Sequence, residues 1–279
     1  MRSLVLGLTL FATAATLDRA ADRQALLAAD SALVLTGAAF VDSSAYLHPG
    51  ASLVRGASHI DAFLASDTTK HIVQRAPAFA DVSYDGSLGY SWGWTRSDGT
   101  RAKYLACWRK QPSPGGWRLV AYATTAPLPD SVSVQPAGKP DPAAPAAPPP
   151  IRGKADRREL LRTDSAFAAL SEARGAKQAF LTYAAENAMA FGSGPQLTEG
   201  RQAIGAAFDG FPAGAVLEWW PLAAEIARSG DLGCTVGEAQ IKSLHHYSKY
   251  LTIWKRQADK QWKFVADGGN QRPAPALEH

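Results

Sequence analysis

The stretch covering residues 250–270, YLTIWKRQADKQWKFVADGGN, reads as two strands joined by a short polar turn at 258–261, and the chain contains it twice. Apolar and aromatic residues line these strands, with cations between them. The earlier copy, KYLACWRKQPSPGGWRLVAYATT, runs from 103 to 125; Tyr104 answers Tyr250, Trp108 answers Trp254, and Trp117 answers Trp262. The likeness extends upstream. ADRQALLAADSAL begins at Ala21 and ADRRELLRTDSAF at Ala155, Gly56 and Ile60 match Gly200 and Ile204, and Leu88-Gly89 match Leu232-Gly233. Spacings that drift only by small insertions, with order kept, mean two homologous domains and not a short-period solenoid.

Between the copies lies a Pro/Ala-rich segment at 127–152 that includes KPDPAAPAAPPP. Proline fixes φ and gives up its backbone donor, so this segment reads as an extended spacer. The domains are thus expected at 18–126 and 153–273, each long enough to bury a core. Residues 1–17, MRSLVLGLTLFATAATL, have the Arg, apolar run and small residues of a secretory signal peptide, implying a periplasmic or secreted bacterial protein without stable membrane insertion. The end, 274–279, reads as a tail with a tag remnant and is left out of site reasoning.

Within the second copy the pattern predicts a helix at 156–173 stopped by Gly175, a helix at 177–185, a short strand at 188–191, and a helix at 201–208. Strands follow at 215–226, 232–241, 244–255 and 262–266. The first copy is shorter after Gly37, as if its second helix were trimmed to AAFVDSS. The net charge of +4 is mild and the cations are scattered, so nucleic acid is not an expected partner. Arg109-Lys110 and Lys255-Arg256 read as the solvated face of a sheet edge. The two cysteines, Cys107 and Cys234, occupy non-equivalent positions of the repeat. They read as buried thiols or, as the less favoured alternative, as a disulfide.

Helices first, a Gly-x-x-x-Ile helix after a small loop (Gly56, Ile60; Gly200, Ile204), then a long hairpin ending in WKFVAD: this resembles the nuclear transport factor 2-like superfamily, also called SnoaL-like or ketosteroid-isomerase-like. The second copy is similar to the SnoaL-like proteins of bacteria. The resemblance implies an α+β fold of two tandem cone-shaped domains, each a curved antiparallel sheet wrapped around N-terminal helices, with one pocket per cone. Such folds host isomerases, dehydratases and plain binding modules. Laid on this chain, the isomerase base falls at His48 and Phe191 and the strand acid near Ala106 and Thr252; Phe191 and Ala106 cannot transfer protons.

Candidate catalytic residues are His48 in the first copy, and His246 with Glu238 as an orienting carboxylate in the second. The plainer reading of each histidine is a solvated loop or strand start. Alternation along the strand puts His246 on the side of Tyr250, Thr252 and Trp254, so only one of His245 and His246 enters the cone. His59 and His71 read as surface residues. The expected ligand-binding set is Trp220, Tyr250, Thr252, Trp254, Phe191, Tyr104 and Trp108, drawing on eight tryptophans, more than most chains of this length carry. Trp219 and Trp220 alternate faces. Asp267 reads as a turn residue after the last strand. No phosphate-binding loop, nucleophile elbow or metal-type spacing occurs, so no cofactor or metal is expected. The leading expectation is an exported protein binding a small apolar or aromatic ligand. The alternatives are an isomerase, dehydratase or hydrolase, and a structural module pairing as a domain–domain pseudo-dimer or a homodimer.

Overall fold

The computed structural model describes residues 19–66, 74–112, 115–132 and 156–275. The leader at 1–17, His71, most of the Pro/Ala-rich spacer and the tail at 276–279 lie outside the described residues.

Domain one begins with helix α1 (19–31), a 3-10 turn at Gly37–Ala39, strands β1 (Phe40–Leu47) and β2 (Val54–Arg55), and helix α2 (Ala57–Ser66). Strands β3 (Gln74–Val82), β4 (Leu88–Ser97), β5 (Thr100–Lys110) and β6 (Trp117–Thr124) complete its sheet, with a short β7 (Leu128–Pro129). Domain two runs α3 (Arg157–Arg174), α4 (Ala176–Tyr183), β8 (Ala184–Phe191), β9 (Thr198–Glu199), α5 (Arg201–Ala206), β10 (Glu218–Ile226), β11 (Leu232–Ile241), β12 (His246–Arg256) and β13 (Trp262–Gln271). The sheet orders are β2-β1-β6-β5-β4-β3 and, read the same way, β9-β8-β13-β12-β11-β10. The two topologies match strand for strand, apart from β7, which pairs with β5 and has no counterpart in domain two. Even the irregularities repeat: register shifts fall between Pro77 and Phe79 and between Pro221 and Ala223, and again at Cys107/Trp108 and Ile253/Trp254. Bulges bend a sheet, and a bulged edge strand is where proline is tolerated. Each sheet is mixed, because β1 runs parallel to β6 and β8 parallel to β13.

Local chemistry sets the helices. Asp156 caps α3 by accepting from the Arg158 amide at 2.9 Å, and Gly175 ends it. The buried face of α3 carries Leu160, Asp164, Phe167, Ala168 and Ser171, an apolar stripe with one acid set into it. Gly56 and Gly200 both have φ +88°, a left-handed turn that a β-carbon would strain, and each starts a helix whose Ile60 or Ile204 plugs a cone.

Three readings are corrected in detail. AAFVDSS is no trimmed helix but the 3-10 turn running into β1. The spacer begins as structure, since β7 pairs with β5 and Asp130 bonds Arg96 and Arg101. The last strand does not stop at Ala266: β13 continues through Gly268 and Gly269 to Gln271. There a β-carbon on Gly268 would lie 2.7 Å from Phe191 Cβ, and one on Gly269 2.1 Å from the Lys249 carbonyl oxygen. These glycines serve close strand approach, not a turn.

The helices cover the concave face of each sheet, and the opposite faces pack against each other. That shared core includes Leu47, Tyr90, Trp92 and Leu105 from domain one and Met189, Val236, Leu251 and Ile253 from domain two. Cys107 and Cys234 form a disulfide across it, so the reading as buried thiols is replaced. Polar contacts repeat reciprocally around it. Lys255 pairs with Asp81 at 2.6 Å, and Arg109 with Glu225. The Tyr84 amide donates to Asp231 at 2.9 Å, and the Arg228 amide donates to Ser87 at 3.1 Å. Arg109 and Lys255, read as solvated, are in fact cross-domain ion pairs: their acids sit on the facing copy, which no local pattern shows. No helix of the described residues is long and apolar enough to cross a membrane.

Candidate functional site

The cone of domain two encloses a cavity of about 700 Å³. Its walls are Phe167 of α3, Phe180 of α4, Ile204 and Phe208 at α5, Trp219 of β10 and Phe191 of β8. Domain one closes part of the mouth with Pro49, Gly50, Thr125 and Ala126. The floor is set by register. Thr235, Thr252 and Asp267 stand side by side across β11, β12 and β13, all facing the helices. The Thr252 hydroxyl donates to Asp267 Oδ1 at 2.5 Å.

Above this row sits Asp164, fully buried on α3. Trp219 Nε1 donates to it at 3.0 Å and the Tyr250 hydroxyl at 2.9 Å. The Thr235 hydroxyl also donates to it, while accepting from Trp254 Nε1 at 2.8 Å. Burial pushes Asp164 up to about 6, against the pull of those donors. Asp267 is pushed up to about 6 by burial, opposed by Thr252 and reinforced by the negative charge of Asp164. Burial, then Asp164, lifts the Tyr250 phenol well above its ordinary value, so it stays a donor. Two carboxyl groups near neutrality, one turned toward a cavity and one holding a tyrosine, can bind a polar hydrogen or move a proton.

Domain one shows the same frame filled in. Asp30 corresponds to Asp164, but Arg75 stands where Trp219 stands and Tyr122 where Asp267 stands. Arg75 Nη2 reaches Asp30 at 2.6 Å, its Nη1 donates to the Tyr122 hydroxyl at 2.7 Å, and its guanidinium lies 4.2 Å from the Tyr104 ring centroid. Tyr104 in turn donates to Asp30 at 2.7 Å. This interior is an arginine plug neutralising the helix acid.

The residues singled out from sequence fall as follows. His246, Tyr250, Thr252 and Phe191 line the cavity. Glu238 stands opposite Lys249 while His246 stands opposite Ile241, and the Glu238 carboxylate lies 3.3 Å from Arg272 Nη2. The ladder separates this pair. Trp219, not Trp220, enters the cavity; Trp220 shares the row of Glu238 and Lys249, on the other face. Trp254 lies wholly buried behind the wall, held by Thr235. Tyr104 and Trp108 belong to the filled core of domain one, where Trp108 Nε1 donates to Ser91 at 2.8 Å. His48 packs against Phe63 and Tyr46, with centroids 5.4 and 5.9 Å away, just before the Pro49-Gly50 rim. His59 is exposed, and His245 closes a 3-10 turn at φ +50°.

Sequence reading missed Asp164 and placed Asp267 in a turn. An acid within the apolar stripe of α3 was a visible signal for the first. For Asp267 the following Gly-Gly masked the strand. Among the described residues no group of His, Cys, Asp or Glu is arranged to hold a metal ion.

No family model matches the chain, and no curated protein matches it. Solved structures do. An NTF2-like protein with a cystatin-like fold from Novosphingobium aromaticivorans matches at 17% identity, covering 41% of this chain and 80% of that one, with a TM-score of 0.34. A cystatin-like domain from Nostoc punctiforme matches at 17% identity over 42% and 78% with a TM-score of 0.35. A putative ketosteroid isomerase from Parabacteroides distasonis matches at 13% over 40% and 84% with a TM-score of 0.32. At such scores nothing about activity carries over.

Proposed function

We propose that domain two is a receptor for one small, largely apolar molecule that offers a polar hydrogen to Asp267, with domain one as its structural partner. The observation that supports this is Asp267 itself: a deep carboxyl group, bonded to Thr252 and opening on an aromatic-walled cavity. Pockets that bind small molecules are mostly apolar with a few placed polar groups, which this one matches. Export is part of the proposal. The leader-like 1–17 and the Cys107–Cys234 disulfide both suit an oxidising compartment.

A thermal-shift screen of aromatic and steroid-like compounds checks it. A ligand at a hundred times its Kd adds about 2.7 kcal/mol, a rise of about 5 °C or more in Tm for domains of this size. A screen in which no such compound moves the Tm overturns the receptor reading.

The raised Asp267, next to a tyrosine locked by Asp164, favours a second reading as an acid–base enzyme acting on the same bound molecule. Here Asp267 supplies the carboxylate that the pairing of His246 with Glu238 does not bring within reach. Turnover of any screening hit, lost by about a hundredfold or more in Asp267→Asn, would separate enzyme from receptor.

A further inference from the structure

We propose that the molecule taken by this cavity is an organic cation: an apolar, preferably aromatic body carrying one ammonium group, seated with the ammonium on Asp267. The inference rests on the receptor reading above and adds the charge of the ligand to it.

The acids of this cone lack a compensating cation among the described residues. Asp164 and Asp267 both belong to the interior of one cone, yet among the described residues neither makes an ion pair. Every donor reaching them is neutral: Trp219, Tyr250 and Thr235 for Asp164, Thr252 for Asp267. Buried charges are ordinarily paired. The sister domain obeys that rule, with Arg75 against Asp30 at 2.6 Å. In domain two the equivalent of Arg75 is Trp219, so the position that holds a cation in one copy holds an indole and open space in the other. The space is walled by Phe167, Phe180, Phe208 and Trp219, whose π-faces attract cations. A ligand ammonium among them would do from outside what Arg75 does from within.

The other charged and titratable groups around Asp267 leave that role open. From α3 comes Asp164, and from β12 come Tyr250 and, at the rim, His246. Lys249 also borders the cavity, but its ammonium donates to Asn270 Oδ1 and to the Gln271 carbonyl at 2.9 Å. The parts of α4, α5, β8 and β10 that line the cavity contribute only uncharged residues.

The experiment titrates the full chain, at about pH 7.5, with three probes of one shape: naphthylmethylamine, naphthylmethanol and naphthoate, read by calorimetry and tryptophan fluorescence. The expected result is an amine bound about tenfold or more tighter than the alcohol, with naphthoate weakest. Asp267→Asn brings amine and alcohol level. On the unmodified chain, the amine's advantage shrinks as pH falls through about 6, where Asp267 takes up its proton. Alcohol and amine binding equally, naphthoate binding best, or a preference that survives Asp267→Asn or the fall in pH, would overturn the cation while leaving the receptor standing. If no probe binds a chain that still melts cooperatively, both readings fall.

Discussion

Asp267 carries most of what this protein is proposed to do, and it carries a cost. A carboxyl group held near 6 is destabilised in its ionised form by the fold. The sign follows from linkage. Between its ordinary value of 3.8 and about 6, the folded protein binds a proton that the unfolded chain does not, so this group adds stability as pH falls through that window and subtracts it above. Asp267→Asn removes the titration. The variant should be more stable than the parent by about 2 kcal/mol at pH 8, with the gain vanishing near pH 4, as read from urea midpoints at both pH values. A variant less stable at pH 8 would mean that the ionised Asp267 is well solvated or paired. Little at this scale was legible in the sequence. Tyr250, Thr252 and His246 follow from alternation along a strand and Phe191 from the family resemblance, whereas Asp267 was hidden by glycines that look like a turn and act as spacers for Phe191 and the Lys249 backbone. Trp219 and Trp220 differ only by which face the edge strand presents, and that depends on pairing with β11.

At the scale of elements the sequence spoke more clearly. The helices α3 and α4, the Gly-started α5 and strand β12 are read within a few residues, as is the start of β13 though not its end, because amphipathic periodicity and local stop signals are contained in each segment. What no segment contains is its partner on the other copy. Lys103 of β5, wholly buried, donates to the carbonyls of Gly192 (2.6 Å), Gly194 and Gln196 (2.9 Å), fastening the loop that rims the domain-two cavity. Its counterpart Lys249 instead holds Asn270 and Gln271, and Asn270 reaches the carbonyls of Leu47 and Thr124, each at 2.7 Å. Lys103→Met should leave the three loop carbonyls unmatched, lowering stability by about 2 kcal/mol and speeding backbone hydrogen exchange across residues 192–198 above all. Exchange that rises evenly over the whole chain would contradict a local clamp.

For the whole molecule, the facing sheets reproduce inside one chain the self-complementary contacts of a two-fold dimer: Arg109 with Glu225 mirrors Lys255 with Asp81. The Cys107–Cys234 bridge spans 127 residues of sequence and breaks that symmetry. Replacing both cysteines by serine should cost about 5 kcal/mol by the chain-entropy argument, while urea unfolding stays a single transition, because the reciprocal ion pairs and the shared apolar core still join the domains. Two resolved transitions would mean that the bridge alone unites them. The rim contributed by Pro49, Gly50, Thr125 and Ala126 gives this docking a further meaning. A guest touching both copies is a third fastener between them, so docking of the two domains raises the affinity for the guest by the same factor as the guest strengthens the docking. In that sense the plugged copy is the other jaw of a vice, held shut by the shared apolar core and the reciprocal ion pairs as well as by the bridge.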